Sequence, residues 1–156
     1  MYTSRIALAA ALGSLLLLCL AAPATAQNSR QGVIYAPIYH EAIIDHRGRH
    51  LDLAATVYVR NLSRKHPVTI EAVTMMDGKG KAGLQCLQGN KQLAPLATLR
   101  LLPTDCPPNK GEFSVLVRWS APQPVPPPLV EVLMMGTAGQ QGISLSTRGV
   151  PLEPEP

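Results

Sequence analysis

The chain has 156 residues, 14 Lys and Arg against 10 Asp and Glu, and a formal net charge of +4. Charged residues make up 15%, aromatics 4% and hydrophobics 46%. Disordered chains are charge-rich and apolar-poor, so this balance excludes them, along with collagen-like and coiled-coil compositions. The length suits a single domain.

Residues 1–26 read as an address. Residues 1–5 carry one charge, Arg5, and residues 6–20 are an unbroken run of apolar and small side chains. Residues 21–26 then end in Ala24-Thr25-Ala26, with the helix-breaking Pro23 just before. This is the three-part layout of a secretory signal peptide, cut between Ala26 and Gln27. The apolar run falls short of the roughly 20 residues a membrane span requires, so no stable span is expected after cleavage; a retained anchor is the alternative. Cys19 follows Leu18, not the small residue that precedes an acylated lipoprotein cysteine, and is read as an ordinary leader residue. The expected location is periplasmic or secreted.

Beyond the leader the pattern is that of strands. Residues 33–39 form a first strand, with Pro37 expected at an edge or bulge because it lacks an N–H. Residues 51–60 place Leu51, Leu53, Ala55, Val57 and Val59 on one face, the period of two of a half-buried strand. Residues 67–76 repeat this with Val68, Ile70, Ala72 and Met76 inward. A weak strand covers 83–87, and Phe113, Val115, Val117 and Trp119 alternate with Ser114, Leu116 and Arg118. Shorter runs cover 129–135 and 143–147.

Turn chemistry separates the runs. Asp77-Gly78-Lys79-Gly80 is a hairpin signal, residues 61–66 are a polar loop, and the glycines of 136–142 join the last two strands. Residues 121–128 hold five prolines and are expected as a stiff polyproline crossover between two sheets, with an SH3-type ligand as the alternative. No helix follows the leader. The expected fold is all-β, an antiparallel immunoglobulin-like β-sandwich of about 7–8 strands. It spans 27–150 as one domain, with 151–156 as a disordered tail.

Cys86 and Cys106 remain after cleavage, and an even count in an exported chain suggests a disulfide. Closing a loop of about 20 residues stabilises by roughly 3 kcal/mol in the chain-entropy model. Two free thiols are the alternative.

Catalytic motifs are sparse. Gly142-Ile143-Ser144-Leu145-Ser146 begins like a nucleophile elbow but ends in Ser, and Gly78-Lys79-Gly80-Lys81 is too short to cradle phosphate. The basic residues are scattered and lack stacking aromatics, which speaks against nucleic acid. His40, His46 and His50 fall in one stretch with Glu41, Asp45 and Asp52, a donor set suited to zinc, nickel or oxidised copper. Their spacing matches no tight zinc motif, and Arg47 and Arg49 beside them repel a cation. The pairs Met75-Met76 and Met134-Met135 offer thioethers, but neighbours on a strand point to opposite faces, so core packing is expected of them. Asn61-Leu62-Ser63 is a loop sequon. The polar Gly139-Gln140-Gln141-Gly142 beside an apolar strand is either a binding loop or a self-bonded turn.

Residues 33–40, 51–61, 93–97 and 128–148, above all the run Gln140-Gln141-Gly142-Ile143-Ser144, resemble a bacterial exported family catalogued as domain of unknown function 3124. The resemblance implies a bacterial envelope protein with a short β-rich domain, and carries no activity or site with it.

The leading expectation is a non-catalytic binding or interaction module of the envelope, its partner an envelope protein or small ligand, with no cofactor. Its expected surface is residues 136–144 with the adjacent strand edges, including Gln140, Gln141, Gly142 and Ser144. The alternative is a periplasmic protein holding a divalent transition metal on His40, His46 and His50; a small hydrolase is third.

Overall fold

The computed structural model describes residues 28–102, 113–138 and 141–153. Among them every element is a strand, and every pairing is antiparallel. The leader and the cleavage pair Ala26 and Gln27 lie outside the described residues, as does Cys106.

Three sheets are formed. The largest runs β12 (Val150–Pro151), β1 (Ser29–Ile38), β9 (Phe113–Val125), β5 (Val68–Met76) and β6 (Ala82–Gln85), with β7 (Lys91–Leu93) also pairing with β5. The second runs β11 (Gln141–Arg148), β10 (Leu129–Ala138), β4 (Ala54–Arg60) and β8 (Thr98–Leu101). A small hairpin joins β2 (Glu41–Ile43) to β3 (His50–Asp52).

One buried cluster draws on both large sheets. Ile34, Ile70, Val117 and Trp119 come from the first, and Val59, Val130, Val132 and Met134 from the second. Burial of such side chains contributes about 1.5–3 kcal/mol each relative to exposure and is the main stabilising term of the fold. A cavity of about 40 Å³ remains near one edge of this core, lined by Val57, Val73, Met75, Leu101 and Val115. It is far smaller than the several hundred Å³ of a ligand pocket.

Twelve strands stand among the described residues, against the seven or eight expected. The additional ones are two to four residues long, such as β7, β8 and β12, and so short a stretch shows no readable alternation. The expected strand 51–60 is divided at Leu53, whose N–H donates to the carbonyl of His40 at 2.7 Å. Its inward face is nonetheless kept, with Leu51, Leu53, Val57 and Val59 buried.

In β5 the pairing with β9 shifts between Ile70 and Ala72. The extra residue changes the phase, so Val73 and Met75 are buried in place of Ala72 and Met76. The proline-rich stretch also differs from expectation. Residues 121–125 continue β9, and only 126–128 cross to the other sheet. Ser29 pairs with Val125 and Gln31 with Ser120, so Pro122 and Pro124 fall in the irregular stretch between paired positions. Prolines are tolerated there because no ladder N–H is asked of them. Pro37 lies where β1 is paired to β9 alone, since β12 covers only Ile34 and Tyr35. Pairing with β1 runs past residue 150: the N–H of Leu152 donates to the carbonyl of Val33 at 2.8 Å.

Candidate interaction surface

Strands β10 and β11 form a hairpin whose register is unbroken from Glu131 opposite Arg148 to Ala138 opposite Gln141. Residues 136–138 and 141–142, expected in a loop, are therefore strand residues. Alternation explains this: Gly136 to Ala138 and Gln141 to Gly142 simply extend the two flanking apolar runs in phase. Gln140 lies outside the described residues. Gln141 opens β11, Gly142 pairs with Thr137, and Ser144 pairs with Met135. Gly142 and Ser144 are exposed, as are Leu145 and Ser146.

The inner row of this hairpin is mostly apolar, with Thr147 opposite Val132, and the outer row mixed. Met134 is fully buried and faces Leu145, which is 39% exposed because no further strand covers that side. Met135, opposite Ser144, is 55% exposed. Each methionine pair thus divides between core and surface, as strand geometry requires. Beside this hairpin β3 and Leu53 lie against β10. A β-carbon at Gly136 would strike the carbonyl oxygen of Asp52 and stand 2.9 Å from the Leu53 side chain. Glycine alone allows that approach. The resulting open depression, about 530 Å³, is lined by His50, Asp52, Met135 and Thr137 among others.

The histidines are placed differently from a metal site. Among the described residues no three His, Cys, Asp or Glu side chains gather as a cation would need. His40 ends the link from β1, His46 sits in the hairpin turn, and His50 opens β3 with its Nδ1 3.1 Å from Glu41 Oε2. Asp45 is engaged by the backbone: its Oδ1 accepts from the N–H groups of Arg47 and Arg49, and its Oδ2 lies 3.3 Å from Arg49 Nε.

Other carboxylates are similarly occupied. Asp77 Oδ1 accepts from the N–H groups of Lys79 and Lys81, which hold its pKa below the ordinary carboxylate value, the Lys81 N–H foremost. Glu131 meets Arg60 Nε at 3.2 Å, and Glu71 accepts from the Ser120 hydroxyl at 2.6 Å. Cys86 is buried after the end of β6 and is disulfide-bonded.

Asn61, read from sequence as a surface sequon, is a buried clamp. It is 1% exposed, and its Nδ2 donates to the carbonyls of His66, Leu93 and Ala94. Its Oδ1 accepts from the Ser63 N–H at 2.8 Å. The amide that a glycan would need is consumed in tying the 61–66 loop to Leu93 and Ala94.

The expected surface took in residues 136–144 and the adjacent strand edges; what the sequence does not single out is that β11 itself forms an edge of its sheet among the described residues. The signal was present, eight residues without Pro, Lys or acid, but it was divided between a loop and a short strand.

The model of the family described as "Protein of unknown function (DUF3124)" matches residues 31–152. The chain belongs to this family. The match takes in β1 through the end of β12, apart from the first residues of β1, so both large sheets and the β10–β11 hairpin are family features. No curated protein matches the chain. A crystal structure titled Thermotoga maritima 1070 is similar in fold, with a TM-score of 0.48 and 10% identity over 79% of this chain and 94% of that one.

Proposed function

We propose that this DUF3124 chain is an exported, non-catalytic interaction module of the bacterial envelope, periplasmic or secreted, which engages its partner through the edge of β11. The observation that carries the proposal is that edge: an eight-residue strand with Gly142, Ser144, Leu145 and Ser146 exposed and Ile143 half-buried, paired among the described residues on one side only. An unpaired row of N–H and C=O groups is a template for another strand. The non-catalytic reading is supported by the carboxylates. Asp45 and Asp77 each hold a turn, Glu131 an ion pair with Arg60, Glu41 a contact with His50, and Glu71 a hydrogen bond from the Ser120 hydroxyl. Export is supported by the leader and its small-residue cleavage site at Ala26 and Gln27.

We read the two large sheets as a sandwich related to the immunoglobulin fold. Pairs β4·β8 and β5·β9 correspond to its B·E and C·F pairs. Strand β1 stands beside β9 and β10 beside β4, the places of the last and first strands there. The disulfide of Cys86 is proposed to be made with Cys106, since Cys19 leaves with the leader.

The test is site-specific photo-crosslinking in the host envelope. A crosslinker at Gly142, Ser144 or Ser146 is expected to give adducts, and one at Lys91 or Thr98, on other edges, is not. Equal labelling at both sets of positions, or none at β11, overturns the reading.

A further inference from the structure

One end of the molecule gathers the 61–67 loop between β4 and β5, the 94–97 turn between β7 and β8, the 126–128 crossover and the start of β1. Register sets them there: Arg60 pairs with Leu129 and Thr98, Val68 with Leu93, and Ser29 with Val125. Asn61 ties loop to turn, its Nδ2 donating to the Ala94 carbonyl and its N–H to that of Ala97. The Leu96 N–H donates to the Ser63 carbonyl at 3.2 Å, which brings the neighbourhoods of Leu62 and Leu96 together. Both leucines stay outside the core, Leu62 40% and Leu96 62% exposed.

Leu96 alone of the described non-glycine residues has a positive φ, 61°. Pro95 precedes it, and the Ala97 N–H donates to the Ala94 carbonyl at 3.0 Å. Leu96 therefore occupies the third position of a type II turn, where glycine or asparagine relieves the backbone. A leucine there is strained, because its β-carbon crowds the following carbonyl. An exposed side chain gains too little from the core to offset that strain, which points to a contact outside the chain.

Charge at this end is mostly of one sign. Arg30, Arg64, Lys65 and Lys91 are exposed, and none is in an ion pair among the described residues. Residues 61–67 and 93–98 contain no Asp or Glu. Of the acids on the elements that meet here, Glu131 is held by Arg60 and Glu71 by the Ser120 hydroxyl. Glu153 follows β12, at the opposite edge of the first sheet from β7.

We infer that this end docks on an anionic lipid surface, Leu62 and Leu96 entering the headgroup boundary and Arg64 and Lys65 lying against lipid phosphates. Exposed apolar side chains flanked by unpaired cations are what such a surface attracts. The course of the chain favours a bilayer over a protein partner. Strand β1 starts at this end, and only residues 21–28 separate it from the apolar run 6–20. The end is thus tethered beside the membrane for as long as the leader is attached. This surface is separate from the edge of β11 and stands whether or not that edge is occupied.

The experiment uses the full chain as purified from the envelope of expressing cells, mixed with vesicles of phosphatidylcholine alone or with phosphatidylglycerol added. An environment-sensitive dye on Leu62→Cys is expected to shift to the blue on the anionic vesicles only, and to lose the shift at high salt. The same dye on Ile43→Cys, an exposed apolar site at the other end, is expected not to respond. In the Leu62→Cys background, Arg64→Ala with Lys65→Ala should weaken the response about 25-fold, roughly fivefold per charge. Leu96→Gly should weaken it about tenfold. It should do so with no fall in the thermal midpoint, because glycine takes the left-handed conformation freely. No shift at Leu62→Cys, an equal shift on neutral vesicles, or a shift indifferent to both sets of variants overturns the inference.

Discussion

The two ends of the molecule close their loops with the same chemistry at different depths. At one end Asn61 donates to three carbonyls and accepts one N–H while almost wholly buried. At the other, the hairpin turns after Ile44 and Met76 are organised by Asp45 and Asp77. Each carboxylate accepts two backbone N–H groups two and four residues on. Gly48 and Gly80 complete those turns with φ of 76° and 77°, the left-handed conformation that favours glycine. In sequence all three are turn residues. Burial separates them, because a polar group in the core that loses its partner finds no water, whereas one at a hairpin tip does.

The sharpest break in that comparison is Asn61→Ala. The Leu93 carbonyl and the Ser63 N–H would lose this partner in a buried place, and the half-buried carbonyls of His66 and Ala94 would lose a bond, Ala94 keeping that from the Ala97 N–H. We expect a loss of about 3 kcal/mol, on the order of 10 °C in the thermal midpoint. Thermal unfolding followed by circular dichroism reads it. A change within the few tenths of a kcal/mol usual for surface sites would mean that water replaces the amide.

Next in size is Gly136→Ala, at the end that carries the turns. The added methyl meets the Asp52 carbonyl and the Leu53 side chain, so the β2–β3 hairpin must move off β10. We expect a cost of about 1–3 kcal/mol, the range for a crowded insertion. Amide exchange should report it locally. The N–H groups of Ile44 and Leu53, bonded to Arg49 and His40, would lose protection while those of β4 keep it. Uniform loss over the whole chain would show that the hairpin is integral to the core.

Legibility in the sequence follows the same division. Alternation identified the inward faces of β4 and β9, because a period of two over seven or more residues has one physical solution. It failed at β5 after Ile70, where a register shift resets the phase and no residue type announces it. It also failed at residues 121–125, where proline content spoke for a linker although the chain remains in β9. The Asp77 turn was legible because its glycines and carboxylate act within five residues. The Asn61 clamp was not, because its partners Leu93 and Ala94 lie more than 30 residues away. The histidine stretch looked like a ligand set because it is compact in sequence. In the structure His40 ends the link from β1, His46 sits in the hairpin turn, and His50 lies beside Glu41. Strand edges beside residues 136–144 were expected as the surface, but that β11 is one of them was not legible for a related reason: whether a strand lies at an edge depends on the order of strands in the sheet, which local pattern does not contain.

The smallest effect expected concerns Asp77, and it distinguishes the two ends by pH. Its carboxyl is held below the ordinary carboxylate value first by the N–H of Lys81, then by that of Lys79. A depressed carboxyl pKa contributes stability that is present above the unfolded value and lost as pH falls through the lower folded value. The turn should therefore loosen on acidification below the normal Asp range, while the Asn61 clamp, with no proton to gain, keeps its own bonds. The measurement is the protection of the Lys79 and Lys81 amides, taken from neutral pH downward and corrected for intrinsic exchange. Protection should fall with protonation of Asp77. In Asp77→Asn, which retains an acceptor oxygen without a charge, that pH dependence should vanish. A pH-independent profile in the native chain would mean that Gly80 and the β5·β6 pairing hold the turn unaided, and the contrast between the two ends would then rest on burial alone.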